Sequence, residues 1–106
     1  MERIARLHEF LKETPGDSFL MHALALEHTK YGDDHEARKL FCQILEKEPD
    51  YIGSYYHLAK LLERMNETTE ALKVYEKGME MAASKNDRHA YNELSAAYGE
   101  LKYDTD

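Results

Sequence analysis

Two prolines, Pro15 and Pro49, stand 34 residues apart in a chain of 106, and each is followed within two residues by an aspartate, Asp17 or Asp50, able to cap a new helix. A fixed period of that length restricts the chain to stacked copies of one supersecondary unit, because each copy can bury its apolar face only against its neighbours. Laying residues 18–51 over residues 52–85 matches Leu24 with Leu58, Ala25 with Ala59, Glu36 with Glu70 and Ala37 with Ala71, and sets Phe41 on Tyr75. These are the small and large apolar sites that a helical hairpin needs where its two helices touch.

Each unit reads as helix, tight turn, helix. In the first, Leu20, Leu24 and Tyr31 recur at helical spacing, and Ala23 and Ala25 leave room for a neighbouring helix to approach closely. Gly32 can take the left-handed conformation that ends this A helix. Asp33 can cap the next, with Glu36 three residues on completing a capping box. The B helix carries Ala37, Leu40, Phe41, Ile44 and Leu45 on its apolar stripe and stops before Pro49. The second unit repeats this with Tyr55, Leu58, Leu62 and Met65, Asn66 at the turn, then Ala71, Val74, Tyr75 and Met79. Gly78 stands where alanine is more usual, favouring close packing at a cost to the helix of roughly 0.5–1 kcal/mol.

The ends read as incomplete units. Leu7, Phe10 and Leu11 fall where the B helix of a preceding unit would lie. Tyr91, Leu94, Ser95 and Tyr98 have A-helix spacing if the connection from Ala83 to Asp87 holds two extra residues. The spacing predicts helices near 2–14, 18–31, 34–47, 52–65, 68–82 and 87–102, six in all, or five if the first frays. The expected organisation is one all-α domain over 1–106: a capping helix in 1–16, full units at 18–51 and 52–85, and a half-unit helix at 87–103.

Composition narrows the function classes. With 42% hydrophobic and 33% charged residues the chain has enough apolar surface to fold. Its formal charge of −7, with 14 scattered basic residues, argues against a nucleic-acid partner. No run of apolar residues is long enough to span a membrane, and the charged amino-terminal stretch lacks the apolar core of a secretory signal, so a cytoplasmic protein is expected. The single cysteine, Cys42, agrees with a reducing compartment.

The quoted residues resemble the tetratricopeptide repeat family. Its pattern of aromatic, Leu, small, aromatic, then Ala, aromatic, Ala, Pro falls in the first unit on Met21, Leu24, Ala25, His28, Ala37, Phe41, Ile44 and Pro49. In the second it falls on Tyr55, Leu58, Ala59, Leu62, Ala71, Tyr75, Gly78 and Ala83. Met21, His28, Ile44 and Ala83 depart from it, while the period, the small sites and the turn residues agree with one another.

The resemblance implies antiparallel hairpins stacked as a short right-handed solenoid, an interaction module without catalysis, metal or cofactor. Its A helices would line a concave groove for an extended peptide or partner helix. Carried over by position, that groove would be lined by Phe19, His22, Leu26, Thr29 and Lys30, then Tyr56, Lys60, Glu63 and Arg64, then His89, Asn92 and Ala96. Phe19, Leu26 and Tyr56 offer apolar anchors and Lys30, Lys60 and Arg64 cationic contacts, which points to a peptide with an apolar residue beside an acidic one. Family members that clamp a chaperone's carboxyl terminus place a lysine and an asparagine one turn apart on the first A helix; His22 and Leu26 stand there, so that clamp is absent.

Other chemistry finds little support. None of His8, His22, His28, His35, His57 and His89 pairs with another three or four residues away, so no two imidazoles converge on one helix face as metal ligands. His22, His57 and His89 could meet across adjacent A helices, which would make binding sensitive to pH in the range of about 5–7. Cys42 has no activating neighbour, and no triad order or glycine-rich phosphate loop is present. The alternative to a peptide-binding module is self-assembly, in which a face of the last helix carrying Leu94, Ala97 and Leu101 pairs with a second copy or another subunit.

Overall fold

The computed structural model describes residues 2–105. Met1 and Asp106, the outermost residues of the expected domain, lie outside the described residues. Six helices follow in order: α1 (Glu2–Glu13), α2 (Ser18–Lys30), α3 (Asp34–Lys47), α4 (Gly53–Arg64), α5 (Thr68–Ser84) and α6 (Arg88–Thr105). All six expected helices form, the first included, with ends displaced by at most three residues. Each packs against its sequence neighbours, and α2 also meets α4, and α4 meets α6. The result is a short two-layer solenoid of helical hairpins measuring 43 × 29 × 19 Å.

One turn recurs three times. At Gly32 (φ 80°), Asn66 (φ 63°) and Asn86 (φ 57°) the chain enters the left-handed region. In each case the next residue's N–H reaches back to a carbonyl in the last helical turn: Asp33 to His28 (2.8 Å), Glu67 to Leu62 (2.8 Å) and Asp87 to Ala82 (2.9 Å). This Schellman geometry satisfies the exposed carbonyls at the ends of α2, α4 and α5, and reverses the chain tightly enough to fold each following helix back.

The caps follow the expectation in part. Asp17 Oδ1 accepts from the Leu20 N–H at 3.0 Å and opens α2, and Asp87 does the same for Ala90 at the start of α6. Asp33 occupies the N-cap position of α3 without capping it through its side chain, so the expected box with Glu36 does not form. Its carboxylate lies instead 3.4 Å from His28 Nδ1. Asp50 caps nothing either: α4 starts later, with Ile52 at its N-cap, leaving Asp50 too far upstream and free to pair with Lys85 at 3.2 Å.

The core is built around the small sites. Ala25, Ala37, Ala59, Ala71 and Ala82 are all fully buried, and Phe41, Ile44 and Tyr75 fill the space between them. Leu45, Val74 and Leu101 bridge the two halves of the core. Gly78 is explained by contact: a Cβ there would lie 2.7 Å from Tyr55 Cβ and 3.0 Å from Leu94 Cδ1. One period earlier the contrast is levelled, with Ile44 at the glycine's position and Met21 at the tyrosine's. The same contact is thus filled by two medium side chains in the α2–α3 hairpin and by one large ring against a glycine in the α4–α5 hairpin.

The terminal helices depart from the sequence reading. In α1, Leu7 is buried but Phe10, expected beside it in the cap, is more than half exposed. On α6, Leu94 and Ala97 are buried with Tyr55, Ala59 and Tyr75, so the face expected to be free for self-assembly is already part of the core. The reason is that α6 packs on α5 as any A helix packs on the preceding B helix, and this consumes its apolar stripe.

Candidate functional site

The A helices α2, α4 and α6 lie side by side, and the residues expected to line a groove are distributed along them. Phe19 projects from the first turn of α2 at 72% exposure. His22, Leu26 and Tyr56 are half-buried, while His89, Asn92 and Ala96 are exposed on α6. Lys30 Nζ sits 5.7 Å above the Tyr31 ring, and Lys60 Nζ sits 5.9 Å above that of Tyr56, so each ammonium lies over an aromatic face while remaining open to solvent.

Glu63, Arg64 and Thr29 are among the expected residues that are engaged within the protein. Glu63 accepts the Tyr75 hydroxyl proton and lies 3.8 Å from Lys60. Burial, followed by this hydrogen bond, pushes the Tyr75 phenol far up. Arg64 grips both carboxylate oxygens of Asp34 and reaches the Thr29 carbonyl at 3.2 Å, tying the end of α4 to the α2–α3 turn. Hydrogen bonding to Asp34 raises the guanidinium's pKa further. The Thr29 hydroxyl is directed to the Ala25 carbonyl at 2.9 Å, inside its own helix.

Between α2 and α4 the structure assembles a cluster that the repeat pattern does not specify. His22 Nδ1 is 2.8 Å from the hydroxyl of Ser54, which is completely buried. The His22 ring meets His57 edge-on at 5.4 Å and also touches Phe41 and Tyr51. His57 stacks parallel to Phe41 at 6.4 Å and meets Tyr56 edge-on at 5.7 Å. Burial lowers the pKa of both histidines; for His22 the neighbouring His57 lowers it further, and for His57 the Glu93 carboxylate on α6 opposes the effect. His89 takes no part in the cluster.

His57 was legible only as a residue that could approach His22. The signal is a separation of 35 residues, one period plus one, which sets the two rings across the seam between adjacent A helices. Ser54 and Tyr51 carry no comparable signal. A cavity of about 350 Å³ opens beside the cluster, lined by Phe19, His22, Asp50, Tyr51, Ile52 and Gly53. It joins the first groove position on α2 to the loop before α4.

Comparison with solved structures agrees with this architecture. A tetratricopeptide repeat domain protein from Salinibacter ruber, determined in solution, is 39% identical over 82% of this chain and 88% of its own, with a TM-score of 0.79. Its crystal structure gives 38% identity over 81% of this chain and 96% of its own, with a TM-score of 0.77. The TPR2B domain of yeast Sti1, solved as a complex with pHsp70, superposes with a TM-score of 0.87 over 95% of this chain and 81% of its own at 20% identity. Neither a protein-family model nor a curated protein matches the sequence. The chain belongs to the tetratricopeptide repeat family.

Proposed function

We propose that this domain is a protein-interaction module whose A helices α2, α4 and α6 receive an extended peptide or a partner helix carrying an apolar residue beside an acidic one. The observation that carries the reading is the pairing of anchors and charge on one side of the solenoid. Phe19 is exposed next to a cavity, Tyr56 is half-buried beneath Lys60, and Lys30 adds a second cation, in a chain whose formal charge is −7. Aromatic anchors dominate binding energy when a partner desolvates them, and local cations on an acidic protein select for acidic segments. The Sti1 domain in its complex with pHsp70 supports the same use of the fold.

The boundaries that follow are two full repeats, 18–51 and 52–85, between a capping helix and a half-repeat helix. Binding is favoured over catalysis because the serine paired with a histidine, Ser54, is completely buried and out of reach of a substrate. An exposed Cys42, the chain's single cysteine, fits a reducing cytoplasmic setting. Affinity capture from a native lysate, with the wild type and a Phe19→Ala/Tyr56→Ala variant, tests the reading. Partners lost only from the variant support it, and identical partners refute it.

Self-association through α6 is the second reading, and it rests on Tyr91 and Tyr103, which are 40% and 85% exposed, since Leu94 and Ala97 are buried. Light scattering that finds a concentration-dependent dimer, abolished by Tyr103→Ser, would favour it.

A further inference from the structure

The seam between α2 and α4 holds two imidazoles in contact, and nothing in the repeat pattern requires them there. Four elements converge on the pair. α2 contributes His22; α4 contributes Ser54, Tyr56 and His57; α3 contributes the Phe41 ring; and the loop before α4 contributes Tyr51. The ionisable groups around them are few. Glu93 of α6 acts on His57, Asp17 and Glu48 act on Tyr51, the tyrosine beside His22, and Asp50, paired with Lys85, lines the cavity that His22 faces. Asp17 is occupied in capping α2, and Glu48 receives the Ser18 hydroxyl.

The pair is nevertheless reachable. His57 is exposed, His22 lines the 350 Å³ cavity, and Lys60 lies one turn beyond His57 on α4. Two imidazolium rings at 5.4 Å would repel each other, and burial disfavours either charge, so the contact favours the neutral form of both rings. A carboxylate brought against them reverses that balance by adding opposite charge to that of Glu93 and of Asp50, which shares the cavity with His22 but is paired with Lys85.

We propose that His22 and His57 form a proton-linked element of the binding face, so that an acidic peptide segment laid across α2 and α4 is taken up together with protons and held more tightly as the pH falls below neutrality. This rests on the groove reading above and adds its regulation. The chemistry is that of a histidine pair as a conditional cation on the same helices as the permanent cations Lys30 and Lys60. A partner would be captured in a mildly acidic setting and released in a neutral one. Because glutamate side chains stay ionised well below the histidine range, the peptide's charge does not change over the same interval.

Isothermal titration calorimetry with terminally blocked acidic peptides, each a Leu or Phe flanked by glutamates, tests this at constant ionic strength. Measurements at about pH 5.8 and about pH 7.4, in buffers of different ionisation enthalpy, count the protons taken up. Linkage allows about a tenfold change in Kd per pH unit for each proton, and we expect Kd to fall at least about threefold between the two conditions. In a His22→Asn/His57→Asn variant that keeps its helical circular dichroism, the change should vanish. If that variant does not fold, the His22 and His57 side-chain resonances of the wild type decide, and their pKa values should rise when peptide is added. A pH-independent Kd, a pH dependence retained in the folded double variant, unmoved histidine pKa values, or no binding at the lower pH overturns the proposal. Peptide binding that is abolished by Phe19→Ala/Tyr56→Ala yet independent of pH would leave the groove standing and remove only the proton linkage.

Discussion

Replacing Gly78 by alanine sets two effects of known sign against each other. An alanine within a helix is favoured over glycine by about 1 kcal/mol, so on propensity alone the change should stabilise α5. The added methyl, however, would lie 2.7 Å from Tyr55 Cβ and 3.0 Å from Leu94 Cδ1. Tyr55 Cβ is fixed to the backbone of α4, so the clash cannot be relieved by rotating a side chain, and the hairpin itself must open. Overpacking of a tight core costs about 1–3 kcal/mol, and the balance is a net loss of about 1 kcal/mol. For a domain of this size that corresponds to a fall in Tm of about 4–8 °C. Gly99→Ala is the internal control. A Cβ at Gly99, within α6, meets nothing within 4 Å, so that variant should gain the propensity term and melt higher than the wild type. Thermal denaturation followed by circular dichroism reads both. A Gly78→Ala protein as stable as the wild type or more so would refute the close approach of α4, α5 and α6.

Further outcomes follow from the same contacts. Tyr75→Phe deletes the hydroxyl that Glu63 accepts, and it should lower unfolding free energy by about 1.5–3 kcal/mol in urea denaturation, the range for a hydrogen bond to a charged group. Asn66 holds a left-handed turn, so Asn66→Ala should lose about 1 kcal/mol by the same assay while Asn66→Gly matches or exceeds the wild type. Because folding lowers the pKa of His22 and His57, the unfolded chain binds protons more readily. Their contribution to stability is complete above the ordinary histidine pKa of 6.5 and is lost as pH falls through the lowered folded values. Tm should therefore decline as the pH falls from 6.5, and a folded His22→Asn/His57→Asn variant should show a shallower decline in calorimetry.

Much of the fold was legible because its determinants are local and periodic. Pro15 and Pro49 set the unit length, Ala25 and Ala59 marked the close contacts, and Gly32 and Asn66, themselves 34 residues apart, marked the same turn twice. The capping aspartates were harder. Asp17 and Asp50 hold similar places after their prolines, yet only Asp17 caps, because α4 begins at Gly53, three residues after Asp50. A sequence pattern locates a helix start to within a residue or two, whereas a cap must be in place to the residue.

The binding face was legible as a set of positions but not as a set of available groups. Phe19, Lys30, Tyr56 and Lys60 keep surfaces that a ligand could meet, whereas Glu63 and Arg64 are drawn into contacts with Tyr75 and Asp34 from other helices. Those partners lie 12 and 30 residues away along the chain, and the single-helix spacing that identified the positions contains no information about them. The approach of His22 to His57 was legible as a possibility, whereas the Ser54 contact was hidden for the same reason, since it depends on the registry of α2 against α4 and not on either helix alone.

The most direct measurement of the binding face is residue-by-residue NMR mapping of the labelled domain titrated with the segment of a captured partner. Perturbations centred on Phe19, His22, Tyr56, Lys60 and Asn92 are the predicted result. Perturbations confined to α3 and α5, or to the end of α6 around Tyr103, would contradict it.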